Sequence, residues 1–366
     1  MKNFSVFNFI KSANLFFILC ILVLQIIGLL SLYSVAVDEI FLFHKQLIWI
    51  LLSWCVFFFI YSVNTSIIAK SLWFLFILNL LALIGVYFFG KEIYSAKRWL
   101  DFGFFYYQPS ETLKLILLLM VAKKISQRPF GQIFNFIELL KLIIFIAIPV
   151  LIVLLQPDLG TAGIILLMIA SLILFNGLEK KTLIGCLIVF MISIPIAWKS
   201  ILKPYQKARI TSFIKPLEDS QGTGYNVIQS KIAIGSGQIL GKGWKQGTQN
   251  KLQFLPERHT DFIFSVLSEE YGFVGSSLTL LFFFLILFFT FNLARQTRDR
   301  LNCYFCLSAG FFLLWHVILN LAMTMGLFPV VGIPLPLLSY GGSHTITTMA
   351  FFGLIAGICK NKDLFQ

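Results

Sequence analysis

The polar side chains best placed to do chemistry crowd into one short stretch, where a long hydrophilic loop turns into an apolar segment. Within residues 257–270 they include Glu257, Arg258, His259, Thr260, Asp261, Glu269 and Glu270. Ionisable groups at or inside a bilayer are costly, so they are candidates for function. Thr260 and Asp261 also suit a helix start, where a hydroxyl caps and an acid complements the helix dipole. Both interpretations of Asp261 stay open, and the density of polar groups favours the functional one.

Three shorter polar stretches supply further candidates. Arg98 beside Trp99 is either a guanidinium fork for phosphate or an interfacial anchor. Glu111 and Lys114 share one face of a helix at i,i+3, as part of a site or as a structural ion pair. Asp158 follows a proline, where a simple turn is the alternative. We therefore take Arg98, Glu111, Lys114 and Asp158 as candidate substrate-binding residues.

Composition places the chain among membrane proteins. Of its 366 residues 58% are hydrophobic, 41 are phenylalanine, and the mean hydropathy is +0.88. The net charge of +13 comes from Lys and Arg in the connections between apolar runs, so nucleic-acid binding is not expected. Cys303 and Cys306 form a CxxC without a second pair, which argues against a zinc site. His44 and His316 are isolated and are predicted to be packed polar residues.

Apolar runs of the length of a membrane helix, ~20 residues, recur along the whole chain. They lie at 15–37, 46–63, 71–90, 139–156, 160–176, 181–198, 274–293, 301–325 and 342–359, and a shorter, charged run lies at 110–125. The first run is too long for a signal peptide and is predicted to be an uncleaved span. We predict an all-α polytopic membrane protein of about ten transmembrane helices.

Basic residues in the short connections orient these spans. With the N-terminus inside, short inner segments hold 14 Lys and Arg residues and short outer segments hold 4. This asymmetry follows the positive-inside rule and predicts that both termini are cytoplasmic. The segments that carry the candidate residues then share the outer face, at 91–109, 156–159, 199–260 and 326–341.

A large outer loop, 199–260, lies between the seventh and eighth predicted spans. It holds 10 Lys and Arg residues against 3 acids, which suits an anionic substrate or a lipid headgroup. Apolar spacing within 225–234 predicts a short amphipathic helix on the bilayer. If a helix runs unbroken from Asp261 to Phe291, its length of ~46 Å puts Asp261 at headgroup level. The uncharged, proline-rich segment 326–343 is predicted to be re-entrant and buried in protein.

Four long motifs carry a resemblance to a known family. They are KRWLDFGFFYYQPSETLK (97–114), LQPDLGTA (155–162), QGTGYNVIQSKIAIGSG with GKGWKQGTQNKLQFLPERHTDFIFSVLSEEYGFVG (within 221–275), and GLFPVVGIPLPLLSYGGS (326–343). Together they resemble the SEDS family of bacterial cell-wall polymerases over nearly the whole chain. The motif sequences are most similar to those of its elongation branch, since the division branch usually has Ala where Arg258 stands. His344 departs from the family pattern, which has a small or apolar residue there.

The resemblance implies one SEDS-type membrane domain over residues 1–366. Its implied activity is that of a peptidoglycan glycosyltransferase, which polymerises lipid II at the outer face of the bacterial cytoplasmic (inner) membrane during elongation. Asp261 matches the family's essential acid, while Glu111, Lys114 and Asp158 match sensitive polar positions. Arg98 falls on the family's RW motif. The implied partner is a class B penicillin-binding protein, a transpeptidase, and the implied ligands are lipid II and undecaprenyl diphosphate.

The chemistry of chain extension assigns roles to these residues as a hypothesis. Asp261 would be the general base that removes the proton from the acceptor sugar hydroxyl, with Asp158 as the second choice. Arg98, Lys114 and loop cations, with or without a divalent cation such as Mg or Mn, would stabilise the leaving diphosphate. Arg258 and His259, beside Asp261, are expected to bind substrate. No organic cofactor is expected.

Two other classes of function stay open at this point. A lipid II flippase or transporter also has many spans with polar groups among them. Against it, the polar residues gather at one face rather than at the membrane midplane. A scaffold that only recruits other cell-wall enzymes would explain the spans but leaves the polar cluster around Asp261 without a purpose.

Overall fold

The structure is a computed structural model that describes residues 3–35, 40–93, 96–103, 105–216, 222–251 and 254–362. It is a helical bundle with one small sheet, as the composition predicts. The long helices are α1 (Asn3–Val35), α2 (Ile40–Ser62), α3 (Thr65–Phe89), α4 (Pro109–Ser126), α5 (Phe136–Leu155), α6 (Leu159–Asn176), α7 (Lys180–Ile196), α11 (Ile263–Gln296), α12 (Arg300–Thr324) and α13 (Gly342–Lys362). Three shorter helices are α8 (Pro204–Ile214), α9 (Thr223–Ser236) and α10 (Thr248–Lys251).

Nine helices in the described part of the chain are long and apolar enough to cross a membrane. The long helix left out of that set is α4, which carries Glu111, Lys114, Lys123 and Lys124. It nevertheless lies inside the bundle, packed against α3, α6 and α12, and most of its residues are buried. Counting α4 as a span gives the predicted total of about ten, and the fold class is confirmed.

The share of buried residues differs strongly between helices. α12 and α13 form the interior, and their residues are mostly buried. α7 has the opposite character, because nearly all of its apolar side chains are exposed, among them Val189 and Met191. An apolar helix surface of this kind suits lipid as its surroundings.

A three-stranded antiparallel sheet covers one end of the bundle. Its strands are β1 (Gly90–Ile93), β2 (Ala96–Asp101) and β3 (Tyr106–Tyr107), in the order β1-β2-β3. The Lys91 ammonium on β1 contacts both other strands. It lies 3.1 Å from the Asp101 carboxylate on β2 and 2.7 Å from the Tyr106 hydroxyl on β3. The sheet carries Arg98 towards the centre of this end. The same end bears residues 199–216, 222–251, 254–262 and 325–341, and it is called the loop end below.

The predicted amphipathic helix within the loop is present as α9. Val227, Ser230 and Ala233 are buried on the side that packs against α11 and α12. The Ser230 hydroxyl donates to the Thr324 carbonyl at 2.6 Å. The opposite side, which includes the 45% exposed Ile232, is the one predicted to face the bilayer.

Helix α11 corrects two expectations from the sequence. It begins at Ile263 rather than Asp261, and it is broken at Gly272, whose φ of 64° and ψ of −159° are not helical. A side chain at Gly272 would meet the Gly241 nitrogen at 2.3 Å, so only glycine fits. The 46 Å unbroken helix is therefore wrong, and the depth of Asp261 cannot be taken from helix length.

The loop satisfies the backbone groups that this break exposes. Lys242 and Gly243 donate to the carbonyls of Glu269 and Glu270, each at 3.0 Å. On the other side of the break, the Phe273 N–H donates to the Gln238 carbonyl at 2.8 Å. Buried backbone groups need such partners, so the loop and the first half of α11 form one unit.

The Glu269 carboxylate fastens the same unit from its side chain. It lies 2.6 Å from the Lys242 ammonium and accepts from the backbone N–H groups of Thr248 and Gln249 at 2.8 and 3.2 Å. All of these donors meet one buried oxygen of the carboxylate, Oε1. The chain leading to Asp261 is thereby held against α11 at two places.

Candidate active site

A cavity of about 900 Å³ opens at the loop end and collects most of the predicted site residues. Its ionisable lining residues are Lys45, Arg98, Glu111, Asp158, Arg209, Glu257, His259, Asp261 and His344. Its apolar side is formed mainly by Phe41, Ile48, Trp49, Leu52 and Phe105. One charged wall and one apolar wall suit an amphiphilic ligand with an anionic or sugar head.

Asp261 lies in a turn before α11, and this turn decides between the two interpretations of the sequence. Thr260 does not cap the helix, since its hydroxyl contacts the Glu257 carboxylate at 3.0 Å and no side chain caps α11. The capping alternative is therefore wrong. The Asp261 carboxylate reaches the cavity beside Gly332, where an added Cβ would lie 3.3 Å from Oδ2. Gly332 has a φ of 73°, so both space and backbone favour glycine there.

The surroundings of Asp261 disfavour its charged form. Burial among protein atoms, followed by the nearby Glu257 carboxylate, raises the pKa of Asp261 to about 7. Arg209 and Arg98 oppose this rise, while Asp158 adds to it. A carboxyl group whose pKa lies near neutrality is suited to exchange protons at physiological pH.

Arg98 and Asp158 meet at the opposite side of the cavity. The Arg98 guanidinium donates to the Gln156 carbonyl at 3.3 Å and to the Pro157 carbonyl, and it lies 3.8 Å from Asp158. Asp158 also accepts from the Thr161 N–H at 3.2 Å, so it caps α6. Both residues face the cavity while they hold the α5–α6 connection. The turn that the sequence offered for Asp158 is therefore present, and substrate binding by Arg98 and Asp158 stays a prediction.

Glu111 and Lys114 form the predicted ion pair at 2.7 Å. The Glu111 carboxylate lies in the cavity wall, but Lys114 lies behind it with 2% of its side chain exposed. Two histidines complete the network: His344 Nδ1 is 2.9 Å from Glu111, and His316 Nε2 is 3.1 Å from the Lys114 ammonium. Because His316 Nδ1 lies 2.8 Å from the Phe312 carbonyl, Nδ1 carries the proton and Nε2 accepts from Lys114.

The remaining candidates separate in space. His259 lines the cavity, with Nε2 4.0 Å from the Glu257 carboxylate. Arg258 is not among the described residues that line it, so a direct role in substrate binding stays a prediction. Sequence reasoning missed Arg209, which it counted only as part of the positive charge of the loop. The prediction that His316 is a packed polar residue is confirmed. The partners of His316 and His344 were not predicted, because nothing local to either shows that it meets Lys114 or Glu111.

The described residues do not form a preformed site for a divalent cation. Within the described ranges, no group of three or more His, Cys, Asp or Glu side chains is arranged to hold a metal ion. Asp158, Glu257 and Asp261 face one cavity without converging on a single point. The expected Mg or Mn ion stays an expectation, and the chemistry below is written without it.

Comparison with known proteins decides the family. The family described as cell cycle protein, FtsW/RodA/SpoVE, matches residues 11–364. The chain belongs to the FtsW/RodA/SpoVE family. This confirms the SEDS resemblance carried by the four motifs.

Similar proteins within the family agree with the elongation branch. The peptidoglycan glycosyltransferase MrdB of Escherichia coli (strain K12) is 39% identical over 294 residues, 80% of this chain and 79% of that protein. The MrdB of Helicobacter pylori (strain ATCC 700392 / 26695) is 39% identical over 291 residues, 78% and 74% of the two chains.

Solved structures of the family share the fold. One neighbour comes from a structure on the coordination of polymerisation and crosslinking by a peptidoglycan synthase complex, with a TM-score of 0.80 and 29% identity, covering 94% of this chain and 97% of that one. The crystal structure of the Thermus thermophilus rod shape determining protein RodA has a TM-score of 0.69 and 27% identity, covering 94% and 96%.

Proposed function

We propose that this FtsW/RodA/SpoVE protein is a peptidoglycan glycosyltransferase that polymerises lipid II into glycan strands during cell elongation. The observation that carries the proposal is the cavity at the loop end. It joins an apolar wall to a charged wall that holds a carboxyl group with a pKa near neutrality. Lipid II has matching parts, namely a polyprenyl chain, a diphosphate and a sugar head. The names of the MrdB relatives support the same activity.

Asp261 is the proposed general base. The oxygen of the acceptor 4-hydroxyl attacks the anomeric carbon of the lipid-linked sugar, and its proton passes to the Asp261 carboxylate. The bond between that carbon and the diphosphate oxygen breaks with inversion, and undecaprenyl diphosphate leaves as the anion. A positioned base of this kind contributes roughly 10²–10⁴-fold in rate.

Arginine side chains are the proposed partners of the leaving diphosphate. Arg98 and Arg209 both line the cavity, and both act electrostatically on Asp261. Lys114 is shielded by Glu111, so its proposed contribution is indirect, through the Glu111 carboxylate in the wall. Asp158 is less suited to be the base, because it already caps α6 and faces Arg98.

The proposed setting is the bacterial cytoplasmic membrane, with the loop end outside and both termini in the cytoplasm. The distribution of Lys and Arg between the short connections supports this orientation. The proposed partner is a class B penicillin-binding protein, a transpeptidase. Its support is the structural neighbour from a synthase complex that couples polymerisation to crosslinking.

Polymerisation of purified lipid II tests the function directly. The protein is co-purified with its cognate transpeptidase, the transpeptidase active site is blocked, and wild type is compared with Asp261→Ala. We expect long glycan strands from wild type and none from the variant. A folded, partnered wild-type complex that makes no strands would contradict the proposal and favour a flippase, which a lipid-translocation assay would then detect.

A further inference from the structure

The turn that presents Asp261 is held through its backbone. Three consecutive carbonyls each accept a hydrogen bond: His259 from the Tyr340 N–H at 2.9 Å, Thr260 from the Ser339 hydroxyl at 2.6 Å, and Asp261 from the Asn320 amide at 2.9 Å. Backbone carbonyls in a buried turn lack the partners that a helix would give them. This turn takes them from α12 and from the segment after it, so residues far apart in sequence fix the place of one carboxyl group.

Asn320 bridges Asp261 to the segment that holds Ile333. Its amide nitrogen donates to the carbonyls of Asp261 and Ile333, at 2.9 and 2.7 Å. Because both partners are acceptors, only the NH₂ end of the side chain can face them, and both of its hydrogens are used. Asn320 is completely buried in α12. It therefore sets the spacing between Asp261 and residues 332–333, which include the glycine beside the carboxylate.

Ser339 makes a second bridge between the same two segments. Its hydroxyl donates to the Thr260 carbonyl and accepts from the Leu335 N–H at 2.7 Å. The side chain is buried, and one hydroxyl thus serves as donor to the turn and acceptor from the adjoining segment. Asn320 and Ser339 approach neighbouring residues of the turn, so together they restrain both its position and its rotation.

We propose that Asn320 and Ser339 are positioning residues for glycan polymerisation, which hold the Asp261 carboxylate in reach of the acceptor hydroxyl. This inference rests on the proposed function. A substitution far from the reacting atoms that misplaces a catalytic group by about 1 Å can lower the rate roughly 10²-fold. Glu257, from the same turn, and Asp158, Arg98 and Arg209, from other segments, act electrostatically on Asp261. A displaced carboxylate changes its distance from each of them, so its titration moves as well.

The test uses the full chain with its transpeptidase partner and labelled lipid II, with kcat and KM measured from pH 5.5 to 8.5 per folded molecule. We expect Ser339→Ala and Asn320→Leu to lower kcat about 10- to 100-fold. KM should stay within about twofold of wild type, since Arg98 and Arg209, the proposed partners of the diphosphate, lie on β2 and α8, which Asn320 and Ser339 do not bridge. The pH midpoint should move in both variants.

Ser308→Ala is the matched control. Ser308 is a fully buried serine of α12 whose hydroxyl donates to the Tyr304 carbonyl at 2.8 Å. If losing a buried serine hydroxyl only reduces the amount of folded protein, the yield of Ser308→Ala falls. Its kcat per folded molecule and its pH midpoint stay at wild-type values. If Asn320→Leu does not fold, Ser339→Ala decides, because it removes a single oxygen atom.

The possible results separate the inference from the function on which it rests. An inactive Asp261→Asn beside a Ser339→Ala with wild-type kcat and pH midpoint would overturn the positioning roles alone. An active Asp261→Asn would overturn the base assignment and the inference together.

Discussion

Asp261 and Glu111 line the same cavity in opposite electrostatic surroundings. Glu111 is held between the Lys114 ammonium at 2.7 Å and His344 at 2.9 Å, so each carboxylate oxygen has a donor. Asp261 has Glu257 and Asp158 as like-charged neighbours, and Arg209 and Arg98 oppose their effect. One carboxylate is therefore locked as an anion, while the other stands near the point of taking up a proton.

Within one cavity, the contrast distinguishes an acid held in an ion pair from an acid suited to proton transfer. Two carboxyl groups whose environments push their protonation apart are suited to different tasks. Glu111 is paired with its buried cation, whereas the role proposed for Asp261 requires a carboxylate that can accept a proton from an acceptor hydroxyl. Exchanging or weakening either environment should reveal which task each group performs.

Removing the ionisable group of Asp261 is expected to have the largest effect on activity. Asp261→Asn should lower polymerisation roughly 10²–10⁴-fold with little change in thermal stability, because the amide keeps the shape but cannot act as the base. Turnover per folded molecule and melting in detergent are the measurements. A variant that retains wild-type turnover would move the role of base to another group.

Glu111→Gln should instead act on stability. It leaves the Lys114 ammonium buried without its anion, a change that costs about 3–5 kcal/mol in other buried pairs. We expect a clearly lower melting temperature and less folded protein. The double variant Glu111→Leu with Lys114→Met is the control, since removing both charges should recover much of the loss. A melting temperature equal to wild type in Glu111→Gln would contradict the locked-anion interpretation.

The pH profile sharpens the comparison with a smaller change. The base works only when ionised, so with a pKa of Asp261 of about 7 the rate should rise with pH, about tenfold between pH 6 and 8. Glu257→Gln removes a like charge and should move the midpoint to lower pH. Arg209→Gln removes an opposing charge and should move it to higher pH. Midpoints that do not move in these directions would show that the observed titration is not that of Asp261.

Sequence reasoning found the parts of the site that lie within one motif. The spans and the Glu111–Lys114 pair follow from apolar run length and helical spacing, and polar density selects Asp261 as a candidate; all of these signals are local. The break at Gly272 and the uncapped turn depend on a loop that docks onto α11, so spacing along the helix could not reveal them.

The missed residues share the same cause. Arg209 reaches Asp261 from α8, and His344 reaches Glu111 from the first turn of α13, more than two hundred residues away in the chain. A single histidine or arginine carries no spacing pattern that predicts its partner. Only the packing of α4, α12 and α13 makes the network visible.

His344 offers the smallest and most specific change to the Glu111 side of the comparison. His344→Leu removes one of the two donors to the carboxylate, and a buried acceptor left short of a partner typically costs about 1–3 kcal/mol. His344→Asn keeps an N–H near the position of Nδ1 and should lose less. His44 is exposed, so the packed position predicted for it from the sequence is wrong. It provides the control variant His44→Leu, with no expected change in melting temperature. If Glu111 only fills space, Leu and Asn at position 344 should melt alike; if it is a held anion, Asn should be the more stable.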